Sequence, residues 1–390
     1  MGLFPILPHL VNVITIGAFT ILSLLFLIAS KDKLEKSKIL IINSSLYITY
    51  LISLLYTSNF DYATKHLLTA LSLAVLPLAF YFLNTAHFFS KNVLKKTFLN
   101  TFWMGSVVYS LVVYCSFFLY SNPRYPLKDA NFFRKASTSI PLIDQHPIYS
   151  SIILSLAILI GLYYLLDSNK KYKFVVGLGQ LSLLTLLFIL MSKGVILALI
   201  ASVFILLIFK LLNPFKFIYT ILTGSLILVF LYVAIPQKNN RFSQLFNEKS
   251  YSNLNKNNST SIRINIYKCA WTKIKDAPLF GYGFGDVKDE LINCYTLKSS
   301  FMVKERYNSH NQYLSIWLST GIFGLLIFCY ALFYNLRLSF KADDYLGFSI
   351  LLFFIVILFF ENILERQTGV ILFAFLLSLF GFYNADRLKK

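Results

Sequence analysis

Long apolar runs separated by short basic clusters make up most of this chain, and one long polar stretch interrupts them. A helix that crosses a bilayer needs ~20 mostly apolar residues. Eleven runs meet or approach that length, near positions 8–29, 38–56, 66–84, 98–120, 148–166, 173–191, 194–211, 216–235, 313–336, 345–361 and 369–384. The stretch from Lys173 to Leu212 is broken only at Ser192, Lys193 and Gly194, which predicts two helices meeting at a tight turn with Lys193 in it. The pattern as a whole predicts an all-α, polytopic membrane protein with about 11 to 12 transmembrane helices. Its parts are residues 1–235 with eight spans, a large polar loop over 236–312, and residues 313–390 with three spans and a tail.

Inside the polar loop, Gln237 to Asn258 is rich in Asn, Ser and Lys and reads as a mobile loop. The character changes at Ser259. There Ser259, Thr260 and Ser261 offer N-caps, and Ile262 to Ile274 carries neither Gly nor Pro, so a helix is expected as far as Asp276 to Pro278. A second short helix is expected over Asp286 to Tyr295.

Composition agrees with the pattern. With 57% hydrophobic residues, 14% charged residues and a mean hydropathy of +0.66, a water-facing surface cannot cover the chain. The net charge of +19 would suit nucleic acid, but the Lys and Arg residues cluster between apolar runs, and no basic face with interleaved stacking aromatics is present. Met1 to Leu10 has no basic region and no small-residue cleavage site, so the first run is expected to remain as a helix.

Basic residues near helix ends resist translocation, so their bias orients the chain. One set of connections carries seventeen, from Lys31 through Lys91, Lys170, Lys210 and Arg337 to the tail; the other carries seven: Lys65, Arg124, Lys128, Arg134, Lys135, Lys193 and Arg366. The first set is expected in the cytoplasm. With eleven spans, the N-terminus, the polar loop and the Lys193 turn then lie outside and the C-terminus inside.

Candidate chemistry concentrates in and beside the polar loop. Arg263, in the first turn of a capped helix, is either a surface arginine or a bidentate phosphate ligand. His310 lies where the loop re-enters the membrane, among Asn308, Ser309, Asn311 and Gln312. The cluster is either an N-cap for the next helix or a substrate site in which a neutral histidine accepts a hydroxyl proton. Arg306 shares a face with His310 if the intervening residues are helical. Lys193 either snorkels to the interface or completes a cationic pocket with Arg263. Gly281, Gly283 and Gly285 lack the spacing of a dinucleotide or Walker loop and read as a flexible bend, with phosphate cradling as the lesser alternative. Asp286, Asp289 and Glu290 are close in sequence, yet a solvated helix face explains them as well as a metal does. The spans are nearly free of Asp and Glu, which disfavours proton-coupled transport. Cys269 and Cys294 share the loop and can pair if it faces an oxidising compartment.

Four motifs together resemble one family. Ser261-Ile-Arg263 with Trp271, Asp276-Ala-Pro278-Leu-Phe-Gly-Tyr-Gly-Phe-Gly285, Ser309-His310-Asn311-Gln-Tyr-Leu314 and Gly321-Ile-Phe-Gly324 are similar to the signature of the O-antigen ligase and O-antigen polymerase superfamily. The resemblance covers the C-terminal third and the Lys193 turn. It implies a GT-C-like, multi-spanning glycosyltransferase of the bacterial inner membrane with a large periplasmic loop. The donor would be a glycan on undecaprenyl pyrophosphate, with neither metal nor other cofactor and no nucleotide sugar.

Carried onto this chain, the resemblance gives Arg263 the pyrophosphate and His310 the acceptor hydroxyl. Arg306 and Asn311 are further substrate-binding candidates. Lys193 stands where the family usually has arginine, which keeps the charge but loses the bidentate fork. The leading expectation is an O-antigen ligase that joins glycan to lipid A-core at the periplasmic face with inversion. A polymerase extending the growing glycan on its carrier is the alternative, followed by a protein-glycosylating relative. A lipid-linked oligosaccharide transporter is the reading from a different class. Membrane lipid is an expected partner and nucleic acid is not.

Overall fold

The computed structural model describes residues 1–31, 34, 36–86, 92–120, 138, 145–166, 172–211, 218, 254 and 258–389. Among these residues all regular structure is helical. In chain order the helices are α1 (His9–Ser30), α2 (Lys38–Ser53), α3 (Phe60–Ala70), α4 (Ser72–Thr85), α5 (Val93–Tyr120), α6 (Pro147–Leu166) and α7 (Lys173–Leu190). They continue as α8 (Lys193–Lys210), α9 (Ser259–Asp276), α10 (Val287–Thr296), α11 (Ser300–Glu305), α12 (Gln312–Lys341), α13 (Tyr345–Ile357) and α14 (Gln367–Lys389), with a 3₁₀ turn at Ile363–Glu365.

Eight helices among the described residues are long and apolar enough to cross a membrane, with α3 and α4 together forming the span Phe60–Thr85. The chain is therefore a polytopic, all-helical membrane protein. Two expected spans are shorter than their apolar runs: α2 has 16 residues and α13 has 13. Beyond each the backbone continues in turns, from Leu54 to Tyr56 after α2 and from Leu358 to Glu361 after α13. The run 216–235 and the Asn-rich stretch before Asn258, apart from Ile218 and Leu254, lie outside the described residues.

The helices divide into two compact units. The first contains residues 1–19, 89–240 and 339–353. Its centre is α6, where every residue from Tyr149 to Gly161 is buried. Apolar burial gives helices in lipid little reason to associate, so close approach and hydrogen bonds must hold them. Both occur here. A Cβ on Gly161 would fall 1.7 Å from Nε2 of Gln180, which instead donates to the Ile158 carbonyl at 3.0 Å. Tyr109 meets Ser150 at 2.7 Å, and Ser110 meets Ser182 at 2.8 Å. The expected tight turn is present: α7 ends at left-handed Met191, and Lys193 opens α8.

The second unit contains residues 20–88, 241–338 and 354–390. Within it α14 is buried from Thr368 to Phe382 and meets α4 through Phe80, whose ring centroid is 5.2 Å from that of Phe375. The polar segment packs its own core of Ile266, Ala270, Leu291, Tyr295 and Met302. Cys269 and Cys294 form a disulfide across that core, joining α9 to α10 with their Cα atoms 5.7 Å apart.

The turn Pro278 to Gly285, expected to be a flexible bend, is held firmly in this unit. Helix α12 breaks at Gly321, which adopts φ 68° and ψ −170°. The break frees backbone groups that a membrane-buried helix must satisfy elsewhere. The turn supplies the partners: Tyr282 N–H donates to Leu318 O at 2.8 Å, Gly283 N–H to Ser319 O at 3.0 Å, and Pro278 O accepts from Ile322 N–H at 3.0 Å. Gly281 and Gly321 are required because a Cβ on either would fall 2.4 or 1.9 Å from an opposing carbonyl oxygen. The stretch after α2 secures the other edge. Thr57 Oγ1 accepts from Gly285 N–H at 2.9 Å, and the Asp286 carboxylate accepts from the backbone N–H groups of Ser58 and Asn59 at 2.6 and 2.7 Å.

Candidate active site

The helix carrying Arg263 begins earlier than the hydroxyl residues suggest. Asn258 is its N-cap, with Oδ1 accepting from Thr260 N–H at 3.0 Å and Ser261 N–H at 3.4 Å. Asn competes strongly for this position because its short side chain reaches the orphan N–H groups. Arg263 consequently sits one turn into α9 rather than in its first turn. Its Nη2 donates to Oε1 of Glu361 in a part-buried ion pair.

Glu361 also accepts, through Oε2, from Nδ1 of His310 at 3.1 Å. Arg263 and His310, 47 positions apart in sequence, are thus brought to one carboxylate. The Glu361 side chain is only 13% exposed, against 29% for Arg263 and 26% for His310. Burial pushes the Glu361 carboxyl up, but the His310 hydrogen bond and the Arg263 charge outweigh it and hold the group below its ordinary value. Glu361 therefore stays ionised. A carboxylate accepts and cannot donate, so Nδ1 of His310 carries the hydrogen, and in the neutral ring Nε2 keeps the lone pair.

The surrounding contacts hold His310 in a strained backbone conformation. His310 adopts φ 45°, a left-handed conformation that costs a non-glycine residue on the order of 1 kcal/mol and is concentrated at functional sites. Its N–H donates to Asn308 Oδ1 at 3.1 Å, and Tyr267 Oη donates to its carbonyl at 3.3 Å. Asn308 and Ser309 are in turn tied to the stretch after Glu361: Asn308 Nδ2 donates to Glu365 at 2.6 Å, and Ser309 pairs with Asn362 at 3.1 Å.

The other candidates fall elsewhere. Arg306 ends α11 in a left-handed conformation, so it shares no helical face with His310; it is exposed and lies 3.6 Å from Asp289. Asn311 acts as the cap that the cluster also suggested, its Oδ1 accepting from Leu314 N–H at 3.1 Å. Lys193 belongs to the first unit, at the start of α8. Of the acidic trio, Asp286 and Asp289 bind the stretch 57–59, and Glu290 pairs with Lys273 at 2.6 Å.

Glu361 and Glu365 are the residues that sequence reasoning missed. The available signal was compositional. Only 17 acidic residues occur in 390, and these two stand four apart at the end of an apolar run, where an unpaired carboxylate is costly.

Comparison with known proteins covers part of this region. Residues 178–329 match the family model described as O-antigen ligase. An uncharacterized protein of Haemophilus influenzae is 36% identical over 90 residues, a segment that covers 21% of this chain and 22% of that relative. The match to the family takes in the Lys193 turn, α9, the Pro278–Gly285 turn, His310 and the break at Gly321. Over residues 178–329 this chain is therefore similar to the O-antigen ligase family.

Proposed function

We propose that this protein transfers a glycan from undecaprenyl pyrophosphate to a hydroxyl of lipid A-core, as an inverting O-antigen ligase of the bacterial inner membrane. The observation that carries the reading is the Arg263–Glu361–His310 arrangement. Nε2 of His310 accepts the proton of the acceptor hydroxyl as its oxygen attacks the anomeric carbon. The bond between that carbon and the phosphate oxygen breaks, and the carrier leaves as pyrophosphate. Glu361 holds the histidine in the required tautomer and stabilises the imidazolium that forms.

Arg263 uses Nη2 for Glu361 and retains donors on Nη1 and Nε for the leaving group. Fixed cations in a low-dielectric site stabilise charge that develops in the transition state, so the reaction needs neither a metal nor another cofactor. The basic bias of the short loops and the disulfide in the polar segment support a site on the periplasmic side.

The test is transfer by the purified protein in detergent, with carrier-linked donor and lipid A-core. Arg263→Ala and His310→Ala should each abolish product, and wild-type rates in both would reject the reading. In a deletion strain, unligated glycan on its carrier supports the ligase. Single-repeat products instead identify the polymerase, which would use the same residues on a growing glycan.

A further inference from the structure

A second feature of the same unit lies beside His310 and is used by none of the steps above. A cleft is lined by Tyr62, His66, Lys288, Asn308, Ser315 and Glu365. One wall is aromatic. Tyr62 and His66, one turn apart on α3, stack with centroids 3.8 Å apart, and Phe284 meets His66 edge-on at 6.4 Å. The Lys288 ammonium stands 5.8 Å from the centre of the Tyr62 ring.

The rest of the lining is mostly polar. Glu365 accepts from Asn308 Nδ2 at 2.6 Å, from Ser315 Oγ at 3.2 Å and from Asn362 Nδ2. His66 Nδ1 lies 2.9 Å from the Tyr62 carbonyl, so Nδ1 carries the hydrogen and the neutral ring keeps an acceptor at Nε2. Asn308 joins the cleft to the reaction centre directly, because its other side-chain atom, Oδ1, accepts from His310 N–H at 3.1 Å.

Aromatic rings beside hydrogen-bonding groups in one cleft suit a ligand with flat C–H faces and outward O–H donors. A sugar has both. The cleft is small and partly open, so it suits one edge of a sugar, such as a hydroxymethyl group or a pair of hydroxyls. We infer that this cleft is a saccharide subsite that reads the hydroxyl edge of one sugar next to the bond being made. The inference rests on the transferase reading and deepens it. Tyr62, His66 and Glu365 are then specificity residues, whereas Arg263 and His310 serve the reaction.

The sugar can come from the donor glycan or the acceptor core, and binding separates the two. Full-length protein in nanodiscs would be titrated by ligand-observed NMR with two probes from the host strain, the lipid-free repeat-unit oligosaccharide and the delipidated core oligosaccharide. Wild type should bind at least one, and Tyr62→Leu and His66→Ala should each weaken that binding roughly tenfold or more, about 1.4 kcal/mol. Loss for the repeat unit places the subsite on the donor side, and loss for the core on the acceptor side.

His310→Ala should bind as wild type does while losing transfer. That result separates this inference from the proposed chemistry: an active His310→Ala rejects the chemistry and leaves the binding test standing. If Tyr62→Leu does not fold, judged by its melting temperature, His66→Ala decides alone. No binding of either probe by wild type, or unchanged binding by the folded variants, overturns the subsite.

Discussion

One oxygen of the Glu361 carboxylate is held by Arg263, and the other lies 3.1 Å from Nδ1 of His310. This pairing makes Glu361 the test of the mechanism. Glu361→Gln keeps the shape but offers His310 an amide that no longer fixes the tautomer. Its kcat should fall on the order of 100-fold or more, with donor KM nearly unchanged, in the purified transfer assay. Near-wild-type kcat would mean that the contact only supports the fold.

The same carboxylate gives a stability prediction with a definite sign. Its folded pKa lies below its ordinary value, ~4.3 for a free glutamate. The stability it contributes is therefore complete above that unfolded value and is lost as pH falls through the lower, folded one. Melting temperature should drop more steeply below about pH 4.3 in wild type than in Glu361→Gln, as followed by differential scanning fluorimetry. Parallel curves would remove the assignment.

The Cys269–Cys294 bridge closes a loop with a sequence separation of 25 inside the polar segment. Replacing both residues with serine should destabilise the protein by about 3 kcal/mol, read as a lower denaturation midpoint. A mobility shift on reducing gels, seen for wild type and absent from the variant, checks that the bond forms in cells.

Gly321→Ala places a Cβ 1.9 Å from the Leu279 carbonyl at a residue with φ 68°. It should cost at least about 1–3 kcal/mol from the backbone alone, and transfer should fall although no reacting group changes. Circular dichroism should show helix content retained. Full activity in this variant would show that the turn is not seated as described.

The helices were legible in the sequence because each apolar run is long and nearly free of charge. The site was legible only in part. Arg263 and His310 were marked by their charge and by the motifs around them, but Glu361 was hidden at the end of the run 345–361, where it counted as the edge of a span. Arg306 was misplaced because helical spacing assumes helical backbone, and both Arg306 and His310 adopt positive φ. Asn258 was assigned to the loop before α9 because polar composition alone does not tell a cap from a linker. The glycine turn looked soft for a similar reason. Its rigidity comes from Leu318, Ser319 and Ile322, which lie more than thirty positions away.

That pairing of turn and broken helix bears on how relatives can be recombined. The polar segment looks like an insertion that could be exchanged to alter sugar preference, yet its glycine turn is hydrogen-bonded to Leu318, Ser319 and Ile322 of a helix outside it. A chimera that receives only residues 236–312 inherits a turn without its socket. Exchanges that carry Gly321 and its flanking residues together with Pro278–Gly285 should yield folded hybrids, so the heritable unit of specificity crosses the apparent boundary between loop and span.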